Sequence, residues 1–195
     1  MRVISGTARG RRLKEPAGFD IRPTSDIVKE SVFNIIQFDI EGRRVLDLFA
    51  GTGQFGIEAL SRGAKSAVFV DSNRDAVKLI KTNLDICGFS GSASVIPQNA
   101  LKYLENCDSY DIIFLDPPYD TPLAGKTMAK IIEFDKLNTN GIIICEMRAD
   151  GKTPDVSQPY SLQREYRYGS VKIVRYERGA DCGSGSLSNV NGRDI

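Results

Sequence analysis

Short apolar runs alternate with amphipathic stretches along most of this chain, and that alternation limits its fold more than any other feature. Residues 45–48, 67–70, 94–96, 112–115 and 141–146 read as strands. Helices are predicted between them, over residues 55–62, 75–87, 100–105 and 123–134. Gly63 closes the first of these helices and Gly88 stops the second. In the second, Val77, Ile80, Leu84 and Cys87 share one face. Strand–helix alternation with largely apolar strands requires a parallel sheet covered on both faces. Right-handed crossovers turn such a sheet into a doubly wound, open one. Residues 161–168 and 171–176 flank Gly169 and read as a final hairpin. The expected fold class is α/β: a doubly wound, mostly parallel seven-stranded sheet with a C-terminal antiparallel hairpin and a small N-terminal arm.

The remaining segments complete the expected organisation. Residues 2–14 contain Gly6 and Gly10 and predict a short β-hairpin or extended arm. Residues 18–23 read as a loop, and a helix is predicted over 25–38 with Thr24 or Ser25 as N-cap. Residues 179–195 are rich in Gly, Ser and Asn and read as a disordered tail. The division is therefore an arm over 1–24, one domain over 25–178 and a tail over 179–195.

Composition removes several classes of chemistry. The chain has 195 residues, enough for one large domain. It has no histidine, which excludes histidine acid–base catalysis and histidine metal ligation. Cys87, Cys107, Cys145 and Cys182 show no CxxC pairing, so no metal site is expected and reduced thiols in a cytoplasmic protein are. No apolar run approaches the length of a membrane span, and the N-terminus lacks the apolar segment of a signal peptide. A monomer is expected. Net charge is +1, so no global field draws the chain to nucleic acid. Yet residues 1–14 carry Arg2, Arg9, Arg11, Arg12 and Lys14 and no acidic residue. These read as phosphate contacts, with Arg22 nearby, against the plainer reading of a solvated face.

Two segments carry chemistry. Gly51, Gly53 and Gly56 satisfy G-x-G-x-x-G between a strand and a helix, the context that gives that pattern meaning. Asp71 ends the next strand, where a carboxylate can accept both hydroxyls of a ribose. Together they predict an adenosine-containing cofactor. The helix start would suit the pyrophosphate of NAD. The same loop could instead face the amino-acid end of S-adenosylmethionine, with Asp47 reaching its ammonium. Gln98-Asn99-Ala100 follows the third strand. Asn99 can offer an oxygen to an exocyclic amine and an NH2 to a ring nitrogen, or can cap a helix.

The second segment is Asp116-Pro117-Pro118-Tyr119, after the fourth strand. Two prolines end the strand and stiffen the loop. The Asp116 carboxylate and the Pro117 carbonyl can each accept one N–H of a planar amine, and Tyr119 can lie on the ring. Holding both protons draws the nitrogen toward tetrahedral geometry, so attack on a sulfonium methyl becomes positioning plus electrostatics. Asp116 could then take the leaving proton. The plainer reading is an Asx-type turn with a surface tyrosine.

With these pieces together, the chain resembles the bacterial 16S ribosomal RNA guanine-N2 methyltransferase family over about residues 1–177. The marks are Ile4-Ser5-Gly6 with Arg9-Gly10-Arg11, Arg22-Pro23-Thr24 with Asp26, Glu30 and Phe33-Asn34, and residues 45–56. They continue with residues 58–64, Asp116 to Tyr119, and Tyr168-Gly169. The resemblance implies a Rossmann-like class I methyltransferase using S-adenosylmethionine on a guanine N2 of small-subunit rRNA, within an assembling subunit. It implies that Asp116, Pro117 and Tyr119 hold the target, and that Gly51, Gly53 and Asp71 hold the cofactor. Asn99 stands where such enzymes often carry Asp, and Ile27 and Lys29 replace more usual arginines. The competing readings are an NAD-dependent oxidoreductase, an amino methyltransferase of DNA, another RNA or protein glutamine, and a non-catalytic RNA-binding assembly factor.

Overall fold

The structure is a computed structural model that describes residues 1–16 and 23–180. Helix α1 spans Pro23–Ile35 and is followed by β1 (Arg44–Leu48), α2 (Gln54–Ser61), β2 (Ser66–Asp71) and α3 (Arg74–Cys87). Then come β3 (Ala93–Pro97), α4 (Ala100–Asn106), β4 (Tyr110–Leu115) and α5 (Leu123–Glu133). Strands β5 (Leu137–Arg148), β6 (Tyr160–Tyr168) and β7 (Val171–Arg178) close the chain. All seven expected strands pair into one sheet of order β3-β2-β1-β4-β5-β7-β6. The first five run parallel, and β7 and β6 are antiparallel additions. The hairpin folds back so that the last strand, not the first of the pair, meets β5. No helix among the described residues is long and apolar enough to cross a membrane.

The central strands are buried because both faces carry helices. On one face Phe55 stacks on Phe114 at 5.3 Å between centroids, and Phe33 of α1 lies 5.7 Å from the same ring. On the other, Leu46, Leu48, Val70, Ile113 and Leu115 pack with Met128 and Ile131 of α5. The face of α3 read from the sequence is the buried one: Val77, Ile80, Leu84 and Cys87 all join the core. Burying one such side chain contributes about 1.5–3 kcal/mol.

Three expectations change. Helix α1 already includes Pro23, so Thr24 and Ser25 lie inside it and neither is its N-cap. Proline suits a first helical position because its missing N–H would have no partner there. The helix also ends at Ile35, three residues before the expected Phe38, and Phe38 is exposed. The arm is not a separate unit: Val3, Ala8 and Leu13 are buried in the same core as Val32 and Phe33. Arg2 and Arg12 form an antiparallel bridge across it, as a hairpin requires. Arg22, Cys182 and the segments 18–22 and 181–195 lie outside the described residues.

Candidate active site

The site forms where strand order reverses. From β1 the chain runs outward to β2 and β3, then returns to β4 on the other side of β1. The ends of β1 and β4 lie side by side, with Leu48 paired to Leu115. The glycine loop after β1 and the Asp116–Tyr119 loop after β4 therefore flank one crevice, the position at which open α/β sheets bind ligands.

The glycine loop is held from below by carboxylates. Gly51 and Gly53 have φ of 56° and 79°, left-handed values that favour glycine. The Gly51 N–H donates to Asp71 Oδ2 at 2.9 Å, and the Gly56 N–H donates to Asp47 Oδ2 at 2.9 Å. Gly56 is required by packing, since a Cβ there would stand 2.3 Å from the Phe69 ring. A Cβ on Gly51 would meet only the Phe49 carbonyl, at 3.9 Å, so its bareness leaves room above the loop. Asp47 is 1% exposed. Burial pushes its carboxyl up to about 8, the Gly56 N–H opposes the rise, and Asp71 adds to it. In this arrangement Asp47 supports the loop's backbone and has almost no open surface for a cofactor ammonium.

Other expected cofactor residues divide. Asp71 is half-buried at the end of β2, with Oδ1 accepting from the Asn73 N–H. Asn99 Oδ1 caps α4, accepting from Leu101 and Lys102, so the cap reading holds for its oxygen and only Nδ2 is left to face a ligand. Ala100 is buried in the core and can approach a ligand only through its backbone. Gln54 was not legible as a site residue. Its Oε1, directly after Gly53, is buried with no hydrogen-bond partner among the described residues.

In the second loop Asp116 and Tyr119 are half-buried and Pro117 is buried. The Pro117 carbonyl accepts no hydrogen bond among the described residues, whereas the Pro118 carbonyl accepts the Thr121 hydroxyl at 2.8 Å. The Tyr119 hydroxyl donates to Glu146 Oε1 at 2.7 Å. Burial, then repulsion from Glu146 and Asp47, holds the Asp116 carboxyl well above the usual carboxylate range. Burial also raises Glu146, against the Tyr119 hydrogen bond. Burial pushes the Cys145 thiol up to about 12, which keeps it inert beside Asp116. A cavity of about 600 Å³ opens beside this loop, lined by Pro117, Tyr119, Glu146, Arg148 and Lys152 among others.

The arm docks beside the crevice. Asn83 of α3 is the clamp: its Oδ1 accepts from the Lys14 N–H at 2.7 Å, and its Nδ2 donates to the Lys14 and Thr52 carbonyls. Glu58 accepts from the Ile4 and Ser5 N–H groups, and Ser61 Oγ accepts from Ala8. Arg2, Arg9, Arg11 and Arg12 are all exposed. Arg2 and Arg9 line a second cavity of about 270 Å³, and Arg11 donates to the Ile86 carbonyl.

The residues present fit S-adenosylmethionine better than NAD. The loops around the crevice carry acceptors, the Asp71 and Asp116 carboxyls and the Gln54 oxygen, above the buried Asp47. Acceptors suit a ligand bearing a sulfonium, an ammonium and ribose hydroxyls, and they repel a pyrophosphate.

Comparisons with known proteins bear on the family and the fold. The family described as conserved hypothetical protein 95 matches residues 1–177. A Bacillus subtilis protein described as a candidate rRNA methyltransferase is 38% identical over 182 residues, 91% of this chain and 99% of its own. The ribosomal RNA small subunit methyltransferase D of Haemophilus influenzae is 35% identical, over 91% of this chain and 93% of its own. A solved Escherichia coli structure described as a candidate methyltransferase superposes with a TM-score of 0.83 at 32% identity. It covers 92% of this chain and 98% of its own.

Proposed function

The chain belongs to the family described as conserved hypothetical protein 95, and from that premise we propose that it is an S-adenosylmethionine-dependent methyltransferase acting on the exocyclic N2 of a guanine in small-subunit (16S) rRNA. The observation that carries this reading is the placement of Asp116–Tyr119 against the glycine loop at the point of strand reversal.

The glycine loop with Asp71 would hold the cofactor, and Gln54 at the start of α2 and the Asn99 NH2 after β3 would add contacts to it. When bound, S-adenosylmethionine supplies a methyl group on a cationic sulfur. The chain's own residues do the rest. Asp116 and the Pro117 carbonyl accept the two N–H bonds of the guanine amine, which frees the nitrogen lone pair from the ring. Tyr119 supports the face of the base, a contact worth about 1–3 kcal/mol. A paired base could not enter this pocket without extrusion. Once substituted, the nitrogen carries one proton too many, and an Asp116 carboxylate with raised proton affinity is suited to take it. A cation close by would offset the burial that favours the neutral acid, so Asp116 would be ionised when it is needed.

The exposed arginines of the arm, Arg2, Arg9 and Arg12 above all, would grip phosphates of RNA beside the crevice. We read the substrate as rRNA within an assembling subunit, in the cytoplasm. The test uses small subunits from cells lacking the protein, incubated with labelled S-adenosylmethionine and digested to nucleosides. The reading expects label in N2-methylguanosine alone. Label in N6-methyladenosine, or none in RNA, would overturn it. Calorimetry comparing S-adenosylmethionine with NAD separates the oxidoreductase reading.

A further inference from the structure

Glu146 belongs to no motif in the sequence, yet the structure places it beside the Asp116–Tyr119 loop. Leu115 and Cys145 are partners across β4 and β5, so Asp116 and Glu146 are the next positions on neighbouring parallel strands. Successive side chains alternate between the two faces of a sheet, so these paired positions direct both carboxylates to the same face, close enough to repel one another. Glu146 lines the same cavity as Pro117 and Tyr119. The Tyr119 hydroxyl donates to its Oε1, while Oε2 has no hydrogen bond among the described residues. That bond also fixes the ring of Tyr119 with its hydroxyl end at the carboxylate. A base lying on the ring would bring one edge to Glu146.

Two acceptors side by side are a device for reading donors. Among the standard bases with an exocyclic amine, only guanine places a ring N–H next to that amine, N1–H beside N2–H2. Adenine and cytosine place a ring acceptor there, N1 or N3, which a carboxylate repels.

We propose that Glu146 is the residue that selects guanine, its Oε2 accepting the N1–H while Asp116 and the Pro117 carbonyl hold the N2 amine. This inference rests on the proposed function and specifies how that site chooses its base. Guanine supplies donors to two carboxyls that otherwise stand side by side and repel one another. An adenine or cytosine in the same pose leaves Glu146 opposed to a lone pair, a mismatch that sites built on buried polar groups reject strongly.

The experiment uses the full chain and small-subunit rRNA carrying, at the methylated position, either guanine or 2-aminopurine. The second base keeps the 2-amino group and replaces N1–H with an acceptor nitrogen. The wild type should prefer guanine by roughly a hundredfold or more in kcat/KM. Glu146→Gln, whose amide can donate to the acceptor nitrogen and still accept from Tyr119, should lower that preference by at least about tenfold. The preference is a ratio measured on one preparation, so partial misfolding of the variant cancels. Unchanged cofactor affinity by calorimetry reports that the variant's crevice is intact. A preference equal to wild type in Glu146→Gln would overturn the assignment while leaving the guanine methyltransferase reading intact. A wild type that methylates neither base would overturn that reading, and this inference with it.

Discussion

Replacing Asp47 by Asn should stabilise the protein, and by more as the pH rises. The folded chain holds this carboxyl at about 8 against an ordinary 3.8, because burial disfavours its charge. The native state therefore keeps a proton that the unfolded chain releases. Stability is highest below the unfolded value, falls as pH climbs from about 4 toward about 8, and levels off above. At about 1.36 kcal/mol per unit, the shift of about four units sets a ceiling of about 6 kcal/mol, of which about 3–4 kcal/mol develops between pH 5 and 8. Local relaxation around a buried charge lowers such penalties to a few kcal/mol. Asn has no proton to lose, and its Oδ1 can still accept the Gly56 N–H that Asp47 holds at 2.9 Å. Urea unfolding of both proteins across this range is the assay. The stability difference should grow by at least about 2 kcal/mol from about pH 5 to about pH 8. Parallel stability profiles would refute the reasoning, because they would mean that Asp47 is ionised at no cost in the native fold.

Gly6→Ala should detach the arm, since a Cβ there would lie 1.7 Å from the Ser61 carbonyl oxygen at a φ of 79°. A loss of about 2 kcal/mol or more in thermal unfolding is expected, with RNA affinity falling further than cofactor affinity. Arg9→Gln with Arg12→Gln should weaken RNA binding and reduce the salt slope by about 0.7–0.9 per lost phosphate contact; an unchanged slope would assign both side chains to solvent. Because Asp116 must lose its proton to accept the amine, kcat/KM for S-adenosylmethionine, which reports the enzyme before the cofactor's cation arrives, should rise with pH through a limb above the usual carboxylate range, and a profile flat from about pH 5 upward would contradict that role.

The parts of the site written in consecutive residues were legible in the sequence. Gly51, Gly53 and Gly56 answer a local need for left-handed backbone and close packing on Phe69, and Pro117-Pro118 ends a strand by its own covalent structure. The strands and helices were legible for the same reason, since each is set by local periodicity. The supporting residues were not legible, because their partners are distant in the chain. Glu58 meets Ile4 and Ser5, Asn83 meets Lys14 and Thr52, and Glu146 meets Tyr119. Within its own segment Glu146 is only the end of an apolar strand, and Asn83 only a polar residue in an amphipathic helix. Asp47 reads as an open acid beside a glycine loop, and only the packed fold shows how deeply it lies. The order of the last two strands was also hidden, since either member of a hairpin can pair with the sheet.

Asp116→Ala puts the placement of the amine-binding loop beside the cofactor crevice to the test. S-adenosylmethionine affinity is measured by calorimetry, and methyl transfer is measured on small subunits from cells lacking the protein. Cofactor affinity should stay within about threefold while transfer falls by about a hundredfold or more, the scale for removing one group that stabilises a reacting centre. Transfer that persists, or cofactor affinity that falls as far as transfer does, would contradict it.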